Sequence, residues 1–428
     1  MKKNTHNFIL PGEKVGIISL GCSRNTVDSE KILSDAQARG AKVCAHEKAS
    51  TVLVNTCAFT QEAKQESIGV IMDLIEQKKS GKIKKIIVHG CLSQRYPLEL
   101  RQNMQEVDGF AGIADFKKGL QAPLRLTPRH TAYLKISEGC ANICSYCVIP
   151  KIKGGFKSRP ERSILEEAKE LGRLGVRELI IIGQDITLYG ADRRGKTSLV
   201  ELLEGVLKAT SIPWIRLLYL HPRRVTDRLL ELMSCEKRIV PYVDMPLQHA
   251  NDRMLRLMSR GMTRKETISL IDKIRMRLPG LGLRTTFITG FPSETEKEFK
   301  ELCDFIKDVR FDKLGAFTYS REEGTKAYGF AGQLNERTKK RRYDAIMSIQ
   351  KDISGELLKS KRGMDMDVMI DEDLTRSEGV YLARTACDAP EIDGVVFLRS
   401  KKRLKPGDII SARITDSYEY DLTGEAIA

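Results

Sequence analysis

Three cysteines stand close together in Cys140-Ala-Asn-Ile-Cys144-Ser-Tyr-Cys147, directly after the apolar segment Tyr133-Leu-Lys-Ile136. Three thiolates in one loop can hold three irons of a cubane 4Fe–4S cluster and leave the fourth iron without a protein ligand. An open metal position is a sign of chemistry, because a structural site closes its shell. A zinc loop short of its fourth ligand, or a disulfide, is the competing reading, but a closed zinc site would more naturally show paired CxxC units. The open iron needs a chelating amino-carboxylate, and S-adenosylmethionine offers one. One electron passed to it cleaves the sulfonium bond and gives a deoxyadenosyl radical, which takes hydrogen from an unactivated carbon. No side chain does that, so the fold must supply orientation and exclusion of water.

The chain before the loop positions a second triad. Residues 14–20 read as a buried strand followed by Gly21-Cys22, residues 51–56 as a strand ending at Cys57, and residues 85–89 as a strand ending at Gly90-Cys91. Asp28-Ser-Glu30 reads as a helix opening with a cap-like acid cluster, and residues 61–77 as a helix with Ile68, Ile71, Met72 and Ile75 at helical spacing. Strands alternating with helices predict a parallel α/β sheet, whose functional edge lies beyond the carboxyl ends of the strands. Cys22, Cys57 and Cys91 each occupy that place on a different strand, so they can converge on a metal site. Any one alone would more often be a core thiol, which is the expectation for Cys44.

A second β-α series follows a linker at 123–128. Strands are expected over 133–137, 178–182, 214–220, 239–245, 283–289 and 313–319, with helices over 163–174, 198–209, 226–233, 264–277 and 294–309. This pattern predicts a full or partial (β/α) barrel with its site at the carboxyl ends of the strands, where the Cys140 loop also stands. Gln184, Asp185, Gln248 and Glu294 follow later strands and are candidates to hold the ribose, methionine or adenine parts of S-adenosylmethionine. The same residues suit βα turns or helix caps, and a hydrogen-bonded structural role is the commoner one for His249. From Met364 onward short strands alternate with turns, about five in some 65 residues, which predicts a small β-barrel. The overall expectation is an α/β chain in three parts, 1–125, 126–360 and 361–428.

Composition limits the function classes. The chain has 428 residues, 41% hydrophobic and 30% charged, with no run of about 18 apolar residues, which argues against a membrane span. Met1-Lys-Lys3 leads into polar residues, not an apolar region, so no secretory signal is expected and a reducing cytoplasm suits the ten cysteines. Net charge is +15, a weak pointer to nucleic acid or a ribonucleoprotein. From Lys361 onward there are ten Lys/Arg against fourteen Asp/Glu, a net −4 that leaves +19 on the remainder. A module gripping RNA should be basic, so an acidic one favours a basic protein partner, although the acids also suit a solvated face. Lys151-Ile-Lys153 and Lys157 read as contacts to ribosomal RNA or as solvated charge.

The cysteine loop, with Tyr146 before its last cysteine, resembles the radical S-adenosylmethionine signature. Ser19-Leu-Gly-Cys22-Ser-Arg-Asn25 with Val27-Asp-Ser-Glu30, Val54-Asn-Thr-Cys57-Ala-Phe59 and Gly90-Cys91-Leu92 resemble the amino-terminal domain of the methylthiotransferases, and the last segment is similar to their TRAM module. The resemblance runs from about Lys14 to Ala426. It implies a second 4Fe–4S cluster on Cys22, Cys57 and Cys91, one S-adenosylmethionine as methyl donor and another as radical source. It also implies Tyr146 as a cofactor contact and a donor such as flavodoxin or ferredoxin. The family acts either on a tRNA adenosine or on an aspartate of the twelfth small-subunit ribosomal protein. Gly183-Gln-Asp185 with Tyr189-Gly190, Pro246-Leu-Gln-His249, Phe317-Thr-Tyr-Ser320 with Glu322-Glu-Gly-Thr325, and Tyr420-Asp-Leu-Thr-Gly-Glu425 resemble the ribosomal-protein type. Ser23-Arg24 and Thr423 depart from its commoner pattern, which has Pro-Lys and an aromatic residue there; neither departure removes a ligand. A non-catalytic iron–sulfur or zinc adaptor that binds ribosomes is the alternative from another class.

Overall fold

The structure is a computed structural model and describes residues 9–113, 124–193, 197–375 and 379–427. The first part is a five-stranded parallel sheet in the spatial order Lys42–Val43, Lys14–Ser19, Thr51–Thr56, Lys85–Gly90, Gly109–Phe110. Thr51–Thr56 is buried at every position, as a central strand covered on both faces must be. Its side chains alternate between the two layers. Val52 and Val54 join Ile71, Leu74 and Ile75 of the helix Gln61–Lys79, whereas Leu53 joins Ile32, Leu33 and Ala36 of the helix Ser23–Ala38.

Two expectations are corrected here. Ile68 and Met72 are 39% and 47% exposed, because the buried stripe of their helix runs through Ser67, Ile71, Leu74 and Ile75, one position round. The first helix opens at Ser23, directly after Cys22, and not at Asp28. Asp28, Ser29 and Glu30 lie inside it and are buried, since each finds an internal partner. Glu30 accepts from the backbone N–H of Leu126 at 2.8 Å and of Thr127 at 3.4 Å, tying the crossing chain to this helix. The first residue of the expected linker, Pro123, lies outside the described residues.

The second part is an open, partial (β/α) barrel of six parallel strands. Thr131–Lys135, Glu178–Ile182 and Trp214–Leu217 form one sheet; Tyr242–Asp244, Gly282–Thr289 and Lys313–Thr318 form another; a parallel bridge from Ile215 to Ile239 joins them. Leu179 and Ile181 pack outward beneath the helices Glu161–Arg173 and Leu199–Ala209. Ile180 and Ile182 point inward with Tyr133, Trp214, Leu218, Val240 and Tyr242. The strand expected over 214–220 stops at Leu217 because Tyr219 takes φ 65° and donates its N–H to the Asp244 carboxylate at 2.9 Å.

The third part is a closed barrel in the order Asp365–Asp373, Val380–Thr385, Val396–Arg399, Leu422–Ala426, Ile409–Ser417, cored by residues such as Val368, Ile370, Ala383, Leu398 and Ile414. It docks at the amino ends of the central strands. Met369 and Ala389 plug the lumen beside Trp214 and Tyr242. Glu178, the first residue of its strand, accepts from Arg216 Nε and from Arg384 Nη2 of the small barrel, each at 2.7 Å, and is fully buried. The −4 of this segment is therefore not a free acidic face. Asp371, Asp388, Asp393 and Glu419 pair with His130, Lys313, Arg284 and Lys351 of the middle part, and Asp365 and Asp416 with Arg413 and Arg362.

At the opposite edge, Glu322 latches the amino-terminal sheet to the partial barrel. This carboxylate, 2% exposed, receives Lys64 at 3.0 Å and Arg95 at 2.6 Å. Arg95 also donates to Ala58 O, and Ser320 Oγ accepts from the N–H of Gln61 at 3.1 Å.

Two outcomes are expected. Burial alone would raise the Glu178 pKa, but Arg216 and Arg384 outweigh it and hold the carboxyl below its ordinary value. Its stabilisation is then present above an ordinary Glu pKa of about 4.3 and is lost as pH falls through the depressed folded value. Glu178→Ala leaves buried guanidiniums short of an acid and should lower unfolding stability by about 3–5 kcal/mol, read from the urea midpoint. Glu322→Gln removes the charge that Lys64 and Arg95 share. Hydrogen exchange should show the amides around residues 57–64 and 91–95 opening at a cost lower by about 2 kcal/mol, with the remaining core unchanged.

Candidate active site

Cys22, Cys57 and Cys91 follow three adjacent strands of the amino-terminal sheet. Cys22 caps the helix Ser23–Ala38 with extended backbone, Cys57 follows Thr56, and Cys91 opens the short helix Cys91–Arg95. Two glycines make the approach possible. A Cβ on Gly21 (φ +91°) would stand 2.8 Å from Cys57 Cβ and 3.0 Å from its Sγ; one on Gly90 (φ +98°) would stand 2.3 Å from Asn55 Oδ1. Asn25 stitches the strand ends together, donating to Leu20 O at 2.8 Å and Thr56 O at 3.2 Å. Burial pushes the Cys91 thiol up to about 12, with Cys57 and Cys22 pushing the same way against Lys153. Burial raises Cys22 as well, but Arg24 and Lys153 outweigh it and hold that thiol below its ordinary value.

The Cys140–Cys147 loop lies at the carboxyl edge of the partial barrel and is pinned from two sides. The N–H of Ser145 donates to Met258 O at 3.1 Å, and the N–H of Ala327 donates to Ser145 O at 2.8 Å. Donors face its sulfurs. Asn142 Nδ2 is 3.3 Å from Cys140 Sγ, and Arg260 Nη1 is 3.4 Å from Cys144 Sγ. Burial pushes Cys147 up to about 12 and raises Cys140. Tyr146 packs against Met254, Met258 and Phe291, with its hydroxyl 3.5 Å from Arg260.

Both donor sets suit iron–sulfur clusters: three thiols each, with N–H groups directed at sulfur. Among the described residues no three of His, Cys, Asp and Glu converge on a point where one ion would bind them all. Cluster ligation does not require that convergence, because each thiolate takes a separate iron.

A continuous chain of contacts joins the two triads. Arg24 Nε is 3.3 Å from Cys22 Sγ, and its Nη1 donates to Gly183 O at 2.9 Å. Two residues on, Asp185 accepts from Asn142 Nδ2 at 2.7 Å and from Arg224, and Asn142 reaches Cys140. Behind this chain lie four buried charges, Asp28, Lys135, Glu138 and Lys153, with no side chain more than 6% exposed. Lys135 pairs with Asp28 and, at 2.9 Å, with Glu138; Lys153 pairs with Asp28 at 3.1 Å and Glu138 at 3.7 Å. Burial alone would raise Asp28, but the two lysines outweigh it and bring its pKa down to about 2.

The structure places the expected cofactor residues unequally. Gln184 donates to Glu138 at 2.6 Å and leaves its Oε1 buried and unpartnered. Asp185 caps the turn at Thr187 and holds Asn142. Gln248 is held at φ 77° by backbone bonds to Thr286 and Ile288, a strained geometry for a non-glycine residue at the site edge. Glu294 is already engaged within the fold. Its carboxylate is fully buried and accepts from His249 Nε2 at 3.0 Å, the N–H of Gly290 at 2.7 Å and Arg342, contacts that anchor the turn after the strand Gly282–Thr289. His249 accepts the N–H of Asn251 on its other ring nitrogen and is structural. Lys153, read from the sequence as RNA-facing or solvated, is interior. Asn142, Arg224 and Arg260 carry no local pattern that marks them for these roles; Arg24 stood out in the sequence only as a departure from the family's usual Lys, and Lys153 only as part of a basic stretch.

A family model described as the radical SAM superfamily matches residues 134–306, one described as uncharacterized protein family UPF0004 matches 14–112, and a TRAM domain model matches 363–427. The chain is 46% identical to ribosomal protein uS12 methylthiotransferase RimO of Caldanaerobacter subterraneus subsp. tengcongensis, over 96% of this chain and 99% of that one. It is 43% identical to the RimO of Pelotomaculum thermopropionicum, over 97% and 100%, and 41% identical to that of Clostridioides difficile, over 97% and 99%. Among solved structures, the radical S-adenosylmethionine methyltransferase TsrM of Kitasatospora setae is similar in fold, with TM-score 0.50 and 13% identity over 71% of this chain and 73% of that one. The chain belongs to the RimO family of radical S-adenosylmethionine methylthiotransferases.

Proposed function

We propose that this chain attaches a methylthio group to the β-carbon of an aspartate in ribosomal protein uS12, using one S-adenosylmethionine as methyl donor and a second as radical source. The observation that carries the reading is the pair of cysteine triads at adjoining sheet edges, linked through Arg24, residues 183–185 and Asn142. When bound, a 4Fe–4S cluster on Cys140, Cys144 and Cys147 with S-adenosylmethionine supplies hydrogen abstraction from an unactivated carbon, and an auxiliary cluster on Cys22, Cys57 and Cys91 supplies the sulfur.

The chain's own residues orient and seal. Asn142 and Arg260 direct N–H groups at the Cys140 and Cys144 sulfurs, where the thiolates of a bound cluster would accept them. Asp185 fixes Asn142 and Arg224. Gln184 Oε1, the Gln248 amide and the Tyr146 ring are the groups we assign to the cofactor's polar and adenine parts. Glu322 holds the Cys57 and Cys91 segments against the barrel edge, so that the two sites keep one spacing. The acids of the TRAM barrel that are not spent on the middle part suit a basic ribosomal protein. An electron donor such as flavodoxin or ferredoxin, contact with the ribosome's RNA and a cytoplasmic setting complete the reading. No helix among the described residues is long and apolar enough to cross a membrane.

Mass spectrometry of uS12 from a strain lacking this chain should show the loss of one methylthio group; persistence of that group would overturn the reading. In anaerobically reconstituted protein, Cys144→Ala should abolish S-adenosylmethionine cleavage. Cys57→Ala should retain cleavage, bind about half the iron and leave uS12 unmodified.

A further inference from the structure

We propose that Arg24 takes the carboxylate of the substrate aspartate and so determines which side chain the enzyme accepts. This rests on the reading above, in which the carbon to be modified is bonded directly to a carboxylate and must stand between the two triads.

Arg24 lies in that place. It is the link that touches both halves, 3.3 Å from Cys22 Sγ on one side and 2.9 Å from Gly183 O on the other. Its guanidinium carbon lies 4.4 Å from the centre of the Tyr219 ring, so the plane of the group is set by stacking and by the Gly183 carbonyl. The contacts to Cys22 and Gly183 use Nε–H and one Nη1–H, which leaves three of the five N–H donors. Arg24 is partly exposed, makes no ion pair among the described residues, and its Nη2 is not among the sealed, unpartnered polar atoms of the interior. Its anionic contact is the Cys22 thiol, through Nε, so no carboxylate has taken its Nη2 donors. Its planar Nη edge is shaped for two parallel bonds to a carboxylate.

The other buried cations of the site are already committed. Lys135 and Lys153 are paired with Asp28 and Glu138, and Arg224 with Asp185. Arg260 spends Nη1 on Cys144 and Tyr146 and Nη2 on Pro246 O, while its Nε is enclosed. Arg224 leaves Nη1 unspent but is already neutralised by Asp185, so a carboxylate entering between the triads meets in Arg24 a guanidinium with unused donors and no acid of its own among the described residues. The competing role for Arg24 is support of the Cys22 thiolate alone.

The test compares uS12 carrying its target aspartate with uS12 carrying asparagine there, as substrates of anaerobically reconstituted full-length protein, with iron content measured for each variant. Wild type should prefer the aspartate form in kcat/KM by about tenfold or more, the value of a charge-assisted hydrogen bond. Arg24→Gln should keep its iron, raise KM for the aspartate form and bring the two forms to within about threefold of each other; Arg24→Lys should recover part of the preference. An Arg24→Gln protein that keeps the wild-type preference, or that loses iron in proportion to activity, would overturn the assignment. Wild type that modifies neither form would instead overturn the reading of function on which it rests.

Discussion

Four charges that never reach solvent set the geometry of this enzyme. Asp28 comes from the first helix of the amino-terminal sheet, Lys135 from the first strand of the partial barrel, and Glu138 and Lys153 from either side of the Cys140 loop. Two acids and two lysines cancel, and each is costly to bury without the others. The lattice therefore forms complete or not at all, and forming it brings the two sheets together in one register. Cys22 stands six residues before Asp28, roughly 9 Å up the same helix axis. Fixing Asp28 in the barrel thus delivers Cys22 and Arg24 to the carboxyl edge where Gly183 and the cysteine loop lie.

The rest of the molecule divides by strand polarity. The carboxyl ends of both parallel sheets carry the cysteines, the strained Gln248 and the Glu322 latch. The amino ends of the barrel strands carry the TRAM module, docked through Glu178, Arg384 and a plug of Met369 and Ala389. Four of that module's fourteen acids pair with basic residues of the middle part. Its charge is as much a property of the docking surface as of any partner it meets. The arrangement separates a rigid end, where buried pairs fix the domains, from a reactive end, where donors remain unspent.

Much of the fold was legible because its signals are short in range. Thr51–Thr56, Glu178–Ile182 and Arg264–Arg277 have the bounds that their hydrophobic periods predict. Both cysteine triads were readable for different reasons. One has its spacing inside a single loop, and the other has three cysteines at equivalent positions after three strands. Errors came where a short pattern has two solutions. Asp28 and Glu30 look like a helix opening until their partners are known, and Ile68 and Met72 fit a helical stripe that the fold rotates by one position.

The sequence by itself determined where the candidate ligands stand: three cysteines in one loop and three after strand ends, in an α/β frame closed by a small barrel. Only the tertiary structure decided what surrounds that chemistry. Arg24 meets Gly183 across 159 residues, Lys153 meets Asp28 across 125, and Lys64 meets Glu322 across 258. Glu294 was singled out from its place after a strand, and only the packed structure shows the buried Arg342 that pairs with it. The physical reason is range. Backbone propensity and hydrophobic period act over a few residues and are written locally, whereas the partner of a buried charge is fixed by which segments the packed sheets bring within about 3 Å of each other.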